Sequence, residues 1–427
     1  MSSSVRSAVT ADHDASLVSG SFDIGSAQDQ QRVRSLADSL LASRPTIAML
    51  VASARQPEVP IDLALAFKLA QSKLVIRSSA WSGQLAVVFA MWGEQRRLRP
   101  RSAANPTGED ALAVKLDQLE WLFGRGRNAD ADSGVGWKLI AVDDGDPDDS
   151  AAVARDRADD HRLGDRVTVL RLGDVVPVAT GPLAGLAHVD DSRKGGAVVM
   201  GAARSLELGA DAVVVTDADN SVNLAQLGLL IGPFVAANAG AVIGDRKHVD
   251  SVLVKAEARW GPGIVVLRHM QRMVGRALFD HGLRDTQAAF KLYGRAALQS
   301  ILAAPSTYGF SFDSDWLYAT AAAGLPIERA PFAFIDSFEE SASITQGPMT
   351  TWESLLVGLV AAARERGADH DEEMAAVVDD FATAEILEQV VATVPRALAG
   401  ASDAELGQRA TMAPASLRSW LERLVVQ

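Results

Sequence analysis

The chain has 427 residues, 48% hydrophobic and 22% charged, with a formal net charge of −13. That length holds a large core or a catalytic domain with additions. The acid excess argues against a non-specific binder of nucleic acid or anionic membrane, which needs a basic footprint. With no cysteine, disulfides, thiolate metal sites and a cysteine nucleophile are excluded, and a reducing compartment fits. No run reaches the roughly 18–20 apolar residues that span a bilayer: the best, Leu355 to Ala363, ends in Arg364-Glu365-Arg366. The polar, Ser-rich start lacks an apolar stretch behind a basic one. A soluble, cytoplasmic protein is expected.

Residues 1–30 read as a polar, poorly ordered tail. Residues 31–83 read as a helical N-terminal extension, with apolar residues at helical spacing (Val33, Leu36, Leu40, Leu41) and breaks at Pro57 and Pro60. Residues 84–345 alternate strands and helices. Leu85 to Ala90 is a strand, and Gly108 to Phe123 is helical. Gly124 to Gly134 is a flexible loop by composition. Leu139 to Val142 and Val167 to Leu172 are strands, a helix opens at Lys194-Gly195-Gly196, and Ala241 to Gly244 is a further strand. This alternation indicates an α/β sheet, mainly parallel, with ligands at the carboxyl ends of its strands. Residues 346–427 read as a helical C-terminal extension, with a polar break near Gly400 to Asp403.

Chemistry concentrates at those strand ends. The β-branched run Val213-Val214-Val215-Thr216 ends in Asp217-Ala218-Asp219. This spacing is a solvated turn in most proteins. At a strand end it can also bring two carboxylates to one hard divalent cation, such as Mg²⁺ or Mn²⁺, shared with phosphates. Asp143-Asp144-Gly145-Asp146 follows another strand and is either a tight turn or an acceptor for a nucleotide base N–H. Arg193-Lys194-Gly195-Gly196-Ala197 opens a helix, either as a Gly-rich cap or as an anion site. In Gly309-Phe310-Ser311-Phe312-Asp313-Ser314-Asp315-Trp316, an Asp among aromatics is a candidate general base or a helix cap. In Gly244-Asp245-Arg246-Lys247-His248, the two cations suit a diphosphate, and His248 is a metal ligand or structural. No Gly-x-Gly-x-x-Gly opens a helix after the first strand, and Walker A, His-Glu-x-x-His and Gly-x-Ser-x-Gly are absent.

Taken in order, these pieces resemble the family 2 glycosyltransferases of GT-A fold, nearest the dolichol- or polyprenol-phosphate sugar synthases. The likeness covers about residues 84–345. Phe89-Ala90-Met91-Trp92-Gly93-Glu94 stands where the family's opening strand ends in Pro-Ala-Tyr-Asn-Glu-Glu. Val142 to Asp146 follows its Val-Asp-Asp-Gly-Ser, the 193–197 turn its Gly-Lys-Gly-x-Ala, and Asp217 to Asp219 its Asp-Ala-Asp. Asp285-Thr286-Gln287-Ala288-Ala289-Phe290-Lys291 follows its Asp-Thr-Gln-x-Gly-Phe-Lys, and Gly309 to Asp313 its Gly-aromatic-x-Phe-Asp.

The resemblance implies a mixed, mainly parallel sheet flanked by helices, and a metal-dependent, inverting transfer from a GDP- or UDP-sugar. Ala90 and Glu94 are then expected to line the nucleoside pocket, with Asp144 on the base, Asp143 close by and Lys194 near the nucleotide. Asp217 and Ala218 face the sugar or ribose. Asp219 is the metal ligand, joined by Asp217 and His248, and Arg246 and Lys247 hold the phosphates. Asp285, Asp313 or Asp315 faces the acceptor as base. Trp92-Gly93, Ala289 and Ser221 depart from the family, which points to a soluble small-molecule acceptor rather than a polyprenol phosphate. A nucleotidyltransferase lacks support without a Gly-rich loop after the first strand. The non-enzymatic alternative is a nucleotide-sugar-binding protein that has lost catalysis. The helical extensions are expected to form an acceptor lid or a homodimer interface.

Overall fold

The computed structural model describes residues 17–56, 58–124, 134–254, 261–336 and 348–425. The first part of the expected tail, the interior of the Gly124–Gly134 loop and the boundary near residue 345 lie outside the described residues.

The centre is a seven-stranded sheet in the order β3-β2-β1-β4-β7-β5-β8. Its strands are β1 (Gln84–Met91), β2 (Gly136–Asp143), β3 (Val167–Arg171), β4 (Ala212–Thr216), β5 (Ala241–Gly244), β7 (Phe290–Gly294) and β8 (Ile327–Ala330). Neighbours are parallel except β7, which runs antiparallel between β4 and β5. β6 (Val252–Val254) and β9 (Ala333–Ile335) form a separate parallel pair.

Register fixes the site. Met91 pairs with Asp143, and Phe89 with Thr216, so β1, β2 and β4 end together. The next residues, Trp92, Asp144 and Asp217, emerge at one edge. Because β7 is antiparallel and Phe290 pairs with Thr216, the residues preceding β7 reach the same edge.

Alternate strand residues face opposite sides of a sheet, and both sides are covered. Val87, Phe89, Leu139 and Val214 pack among helices on one side, Val88, Ile140, Val213 and Val215 on the other. The first side carries the N-terminal helices α1 (Ala27–Ala42), α2 (Ile47–Ala54) and α3 (Ile61–Ser78), with α4 (Ala111–Phe123) and α7 (Gly228–Ala236). Lys73 of α3 donates to the Leu122 carbonyl at 2.8 Å, satisfying an orphan acceptor at the end of α4. The other side carries α6 (Gly195–Glu207), α8 (Ile264–Val274), α9 (Arg295–Ala303) and α10 (Phe312–Ala322). It also carries the C-terminal helices α11 (Pro348–Glu365), α12 (Glu372–Phe381), α13 (Ala384–Ala392) and α14 (Pro414–Val425). α5 (Ser150–Asp159) packs against β2 and β3.

The packed structure begins before the residue 30 expected from composition. Phe22 and Ile24 are buried, and the Ser19 N–H donates to buried Asp62 at 2.8 Å. Two apolar side chains in a polar run give no periodicity to read, and tertiary packing alone orders them. Among the described residues no helix is long and apolar enough to cross a membrane.

Candidate active site

A cavity of about 290 Å³ opens at the shared carboxyl ends of β1, β2 and β4. Its walls include Ala90, Trp92, Glu94 and Arg97, then Asp144, Lys194, Asp217, Ala218 and Asp219, and finally Gln287, Phe310, Phe312 and Asp313. Thr351 and Leu355 reach it from α11, so the C-terminal helices take part in the site.

Asp144 carries the first surprise. One of its carboxylate oxygens accepts the Lys194 N–H at 2.6 Å and the other accepts the Ser192 hydroxyl. Ser192 Oγ in turn accepts the Gly196 N–H at 3.0 Å. The α6 N-terminus, read from sequence as either a Gly-rich cap or an anion site, is capped by a carboxylate of this chain. Burial pushes Asp144 up to about 6. Lys194 holds φ +70°, a positive value uncommon outside glycine. Gly195 has no room for a side chain, since a Cβ there would sit 2.5 Å from the Tyr308 backbone. Asp143 takes the turn reading: it accepts the Gly145 and Asp146 N–H groups at 3.0 Å each and does not line the cavity.

The Asp-Ala-Asp loop divides its two acids. Asp217 pairs with the Lys194 ammonium. Burial opposes its charge, but Lys194 outweighs burial and holds the carboxyl below the usual range. Asp219 accepts the Ser221 N–H at 3.0 Å and, among the described residues, makes no ion pair. Burial, then the adjacent Asp217 charge, pushes Asp219 upward.

Behind the loop lies a charge network with no signal in the sequence reading. Lys115, fully buried on α4, donates to the Asp219 carbonyl and to Asn220 Oδ1 at 3.4 Å. Glu109 accepts the Asn220 N–H at 2.8 Å. Arg97 donates to Glu94 at 2.9 Å and lies 3.5 Å from Glu109. Burial pushes Glu94 and Glu109 up and Lys115 down. Only the i, i+3 spacing of Glu94 and Arg97 was available as a local clue.

The three candidate bases separate. Asp313, in the first turn of α10, lines the cavity, and Oδ1 accepts from the buried Lys291 at 2.6 Å. Asp315 is fully buried and turned to the C-terminal helices, where Arg366 grips it at 2.8 and 3.1 Å. Asp285 is clamped by Arg246 through two bonds of 2.7 Å. Burial opposes its charge, but Arg246 holds its carboxyl below the usual range. Neither Asp315 nor Asp285 lines the cavity.

The loop after β5 likewise turns from the cavity. Arg246 is spent on Asp285, and Lys247 lies 3.7 Å from Asp403. His248 Nδ1 accepts the Asp250 N–H at 3.1 Å. None of the three lines the cavity, and among the described residues no group of three His, Asp or Glu side chains is arranged to hold a metal. Residues at this spacing read as diphosphate ligands only while their carboxylate partners, distant in sequence, are unknown. Within Asp285 to Lys291, Gln287 is the residue that reaches the cavity.

No family model matches the chain. An undecaprenyl-phosphate mannosyltransferase of Micrococcus luteus is 26% identical over 224 residues, 52% of this chain and 80% of that protein. Mannosyl-3-phosphoglycerate synthase from Rubrobacter xylanophilus aligns with a TM-score of 0.46 at 13% identity, over 69% of this chain and 78% of its own. Glucosyl-3-phosphoglycerate synthase from Mycobacterium tuberculosis, in complex with Mn²⁺, UDP and glucosyl-3-phosphoglycerate, aligns with a TM-score of 0.44 at 15% identity, over 71% and 85%. A mannosyltransferase from Pyrobaculum calidifontis, in complex with GDP-mannose and Mn²⁺, aligns with a TM-score of 0.39 at 12% identity, over 92% and 98%.

Proposed function

We infer that this chain, a glycosyltransferase of GT-A fold akin to family 2, moves a sugar with inversion from a nucleoside diphosphate donor to a hydroxyl acceptor. One observation carries the reading. Asp144, the Asp217/Asp219 pair and Asp313, from three distant parts of the sequence, line a single cavity at the carboxyl ends of parallel strands.

Asp219 is the residue best suited to a divalent cation. Its carboxylate is half-buried beside Asp217, is pushed towards its neutral form despite the nearby Arg97 and Lys115 charges, and makes no ion pair among the described residues. A hard cation held there by Asp219 would relieve that repulsion, since one or two carboxylates suffice as protein ligands. Such an ion, Mg²⁺ or Mn²⁺, supplies Lewis-acid neutralisation of the departing diphosphate. Lys194, paired with Asp217, adds a positive charge on the same side. Ala90, Glu94 and Ala218 form the nucleoside wall in this reading, with the Asp144-capped turn beneath it.

Asp313 acts as the base. Lys291 occupies Oδ1, and Oδ2 takes no hydrogen bond among the described residues. The acceptor oxygen bonds to the anomeric carbon, its proton passes to Asp313, and the bond to the diphosphate breaks with its electron pair leaving on the diphosphate. Asp143, Asp285, Asp315, Arg246, Lys247 and His248 serve as scaffold.

A second reading, transfer to a polyprenol phosphate, is favoured by the curated relative's activity. Such an acceptor needs no base. Release of nucleotide from GDP- and UDP-sugars by wild type, Asp219→Ala and Asp313→Asn tests both readings. A soluble hydroxyl acceptor requires both residues, whereas a phosphate acceptor tolerates Asp313→Asn. Turnover undiminished in Asp219→Ala removes the metal role.

A further inference from the structure

We propose that the acceptor is a hydroxyl carried on an apolar, aryl or alkyl, body with no phosphate or carboxylate of its own. This rests on the glycosyl-transfer reading above and names its acceptor class.

The cavity is chemically divided. Most acids and cations gather at the ends of β1, β2 and β4, while Phe310 and Phe312, just before and at the start of α10, and Leu355 of α11 add apolar wall. α11 is held close against the start of α10. A Cβ on Gly358 would collide with Ser311, and one on Gly309 would sit 3.3 Å from Ser354 Oγ. Thr351 and Leu355, one turn apart, therefore share a helix face beside the turn that carries Asp313. The base candidate thus shares the cavity with Phe310, Phe312 and Leu355.

Two of the three cations among the described lining residues are paired with carboxylates. Lys194 pairs with Asp217, and Arg97 donates to Glu94 at 2.9 Å. Arg193 donates through Nη1 to the Asp190 and Ser192 carbonyls at 2.6 and 2.8 Å, and its charge faces Asp144. Asp190 and Asp313 add negative charge to the walls. An acceptor anion would enter walls that carry six carboxylates against three cations among the described lining residues, an opposing field and a costly desolvation. A neutral hydroxyl on an apolar body meets neither penalty and gains from the Phe310–Leu355 wall.

The test uses the full chain with Mn²⁺, offering GDP-mannose and UDP-glucose against 4-methylumbelliferone, octanol, 3-phosphoglycerate and farnesyl phosphate. Products are read by mass. The expected result is transfer to the phenol or alcohol, with Leu355→Ala lowering kcat/KM for it about tenfold or more and leaving nucleotide affinity unchanged. Transfer confined to the phosphorylated acceptors overturns the proposal. So does nucleotide binding without acceptor-dependent turnover on the phenol or alcohol, or a Leu355→Ala variant with wild-type kcat/KM. Failure of the wild type to bind any nucleotide counts against the glycosyl-transfer reading itself.

Discussion

The ammonium of Lys115 donates to the backbone carbonyl of Asp219 from a position with no solvent exposure. The candidate metal carboxylate is thereby tied, through its own peptide, to helix α4 on the far side of the loop. The ammonium also sits 5.7 Å from the Phe89 ring centroid, under β1. Lys115 is expected to fix where Asp219 points.

Lys115→Met keeps the aliphatic stem and removes the charge. Replacing a buried charge by an apolar side chain ranges from neutral to a loss of about 3–5 kcal/mol when its partners are stranded. Here the stranded partners include a carbonyl and an amide oxygen rather than a close ion-pair partner, so a loss of about 1–3 kcal/mol is expected. Mn²⁺ affinity, read by electron paramagnetic resonance with saturating nucleotide, should fall several-fold. Unchanged affinity in a folded variant would make Lys115 purely structural.

Asp144 gives a pH signature. Burial raises its pKa from 3.8 to about 6 in the folded protein. The fold thus prefers the protonated acid, and this contribution is fully present below about pH 4 and is lost as pH rises through 6. A shift of about two units corresponds to ~3 kcal/mol at most. Asp144→Asn mimics the neutral acid, donating to Ser192 and accepting from Lys194. Its stability relative to wild type should rise between pH 4 and 7 in urea titrations, and a constant difference across that range would contradict the assignment.

The pair Arg366–Asp315 anchors the segment after α11 to α10, with Asp315 fully buried. Arg366→Ala strands that carboxylate and should cost about 3–5 kcal/mol in chemical denaturation. Because α11 lines the cavity, acceptor KM should rise more than nucleotide affinity falls. Loss of stability below about 1 kcal/mol would mean that water replaces the guanidinium.

Asp313→Asn retains an acceptor for Lys291 while removing the base. Donor binding should stay within about twofold, while transfer to a hydroxyl falls about 10²-fold or more. Equal losses in binding and turnover would point to a structural role at the head of α10.

What the sequence made legible follows from local chemistry. The Val213–Val215 run must be a buried strand, and acids at its end must emerge where parallel sheets bind ligands. Helices flanking Pro57 and Pro60 follow from apolar spacing, and the structure has them at Ile47–Ala54 and Ile61–Ser78. The antiparallel insertion of β7 has no local signal, since Phe290 to Gly294 reads the same in either direction. Glu109 and Lys115 were hidden because charges in and before an amphipathic helix read as a solvated face. Tertiary packing buries both. Arg246, His248 and Asp285 show the opposite case. Their side chains suit a diphosphate or a metal, but in this structure Arg246 and Asp285 hold each other across the sequence and His248 accepts the nearby Asp250 N–H.

The central claim is that Asp219 joins a divalent cation to a nucleoside diphosphate in this cavity. Calorimetric titration of GDP, UDP and dTDP into wild type and Asp219→Asn, with and without Mn²⁺, tests it most directly. One nucleotide should bind wild type at least about tenfold tighter with Mn²⁺, and Asp219→Asn should lose that enhancement while keeping its fold. Binding that is indifferent to Mn²⁺, or an enhancement that survives in Asp219→Asn, would contradict the claim.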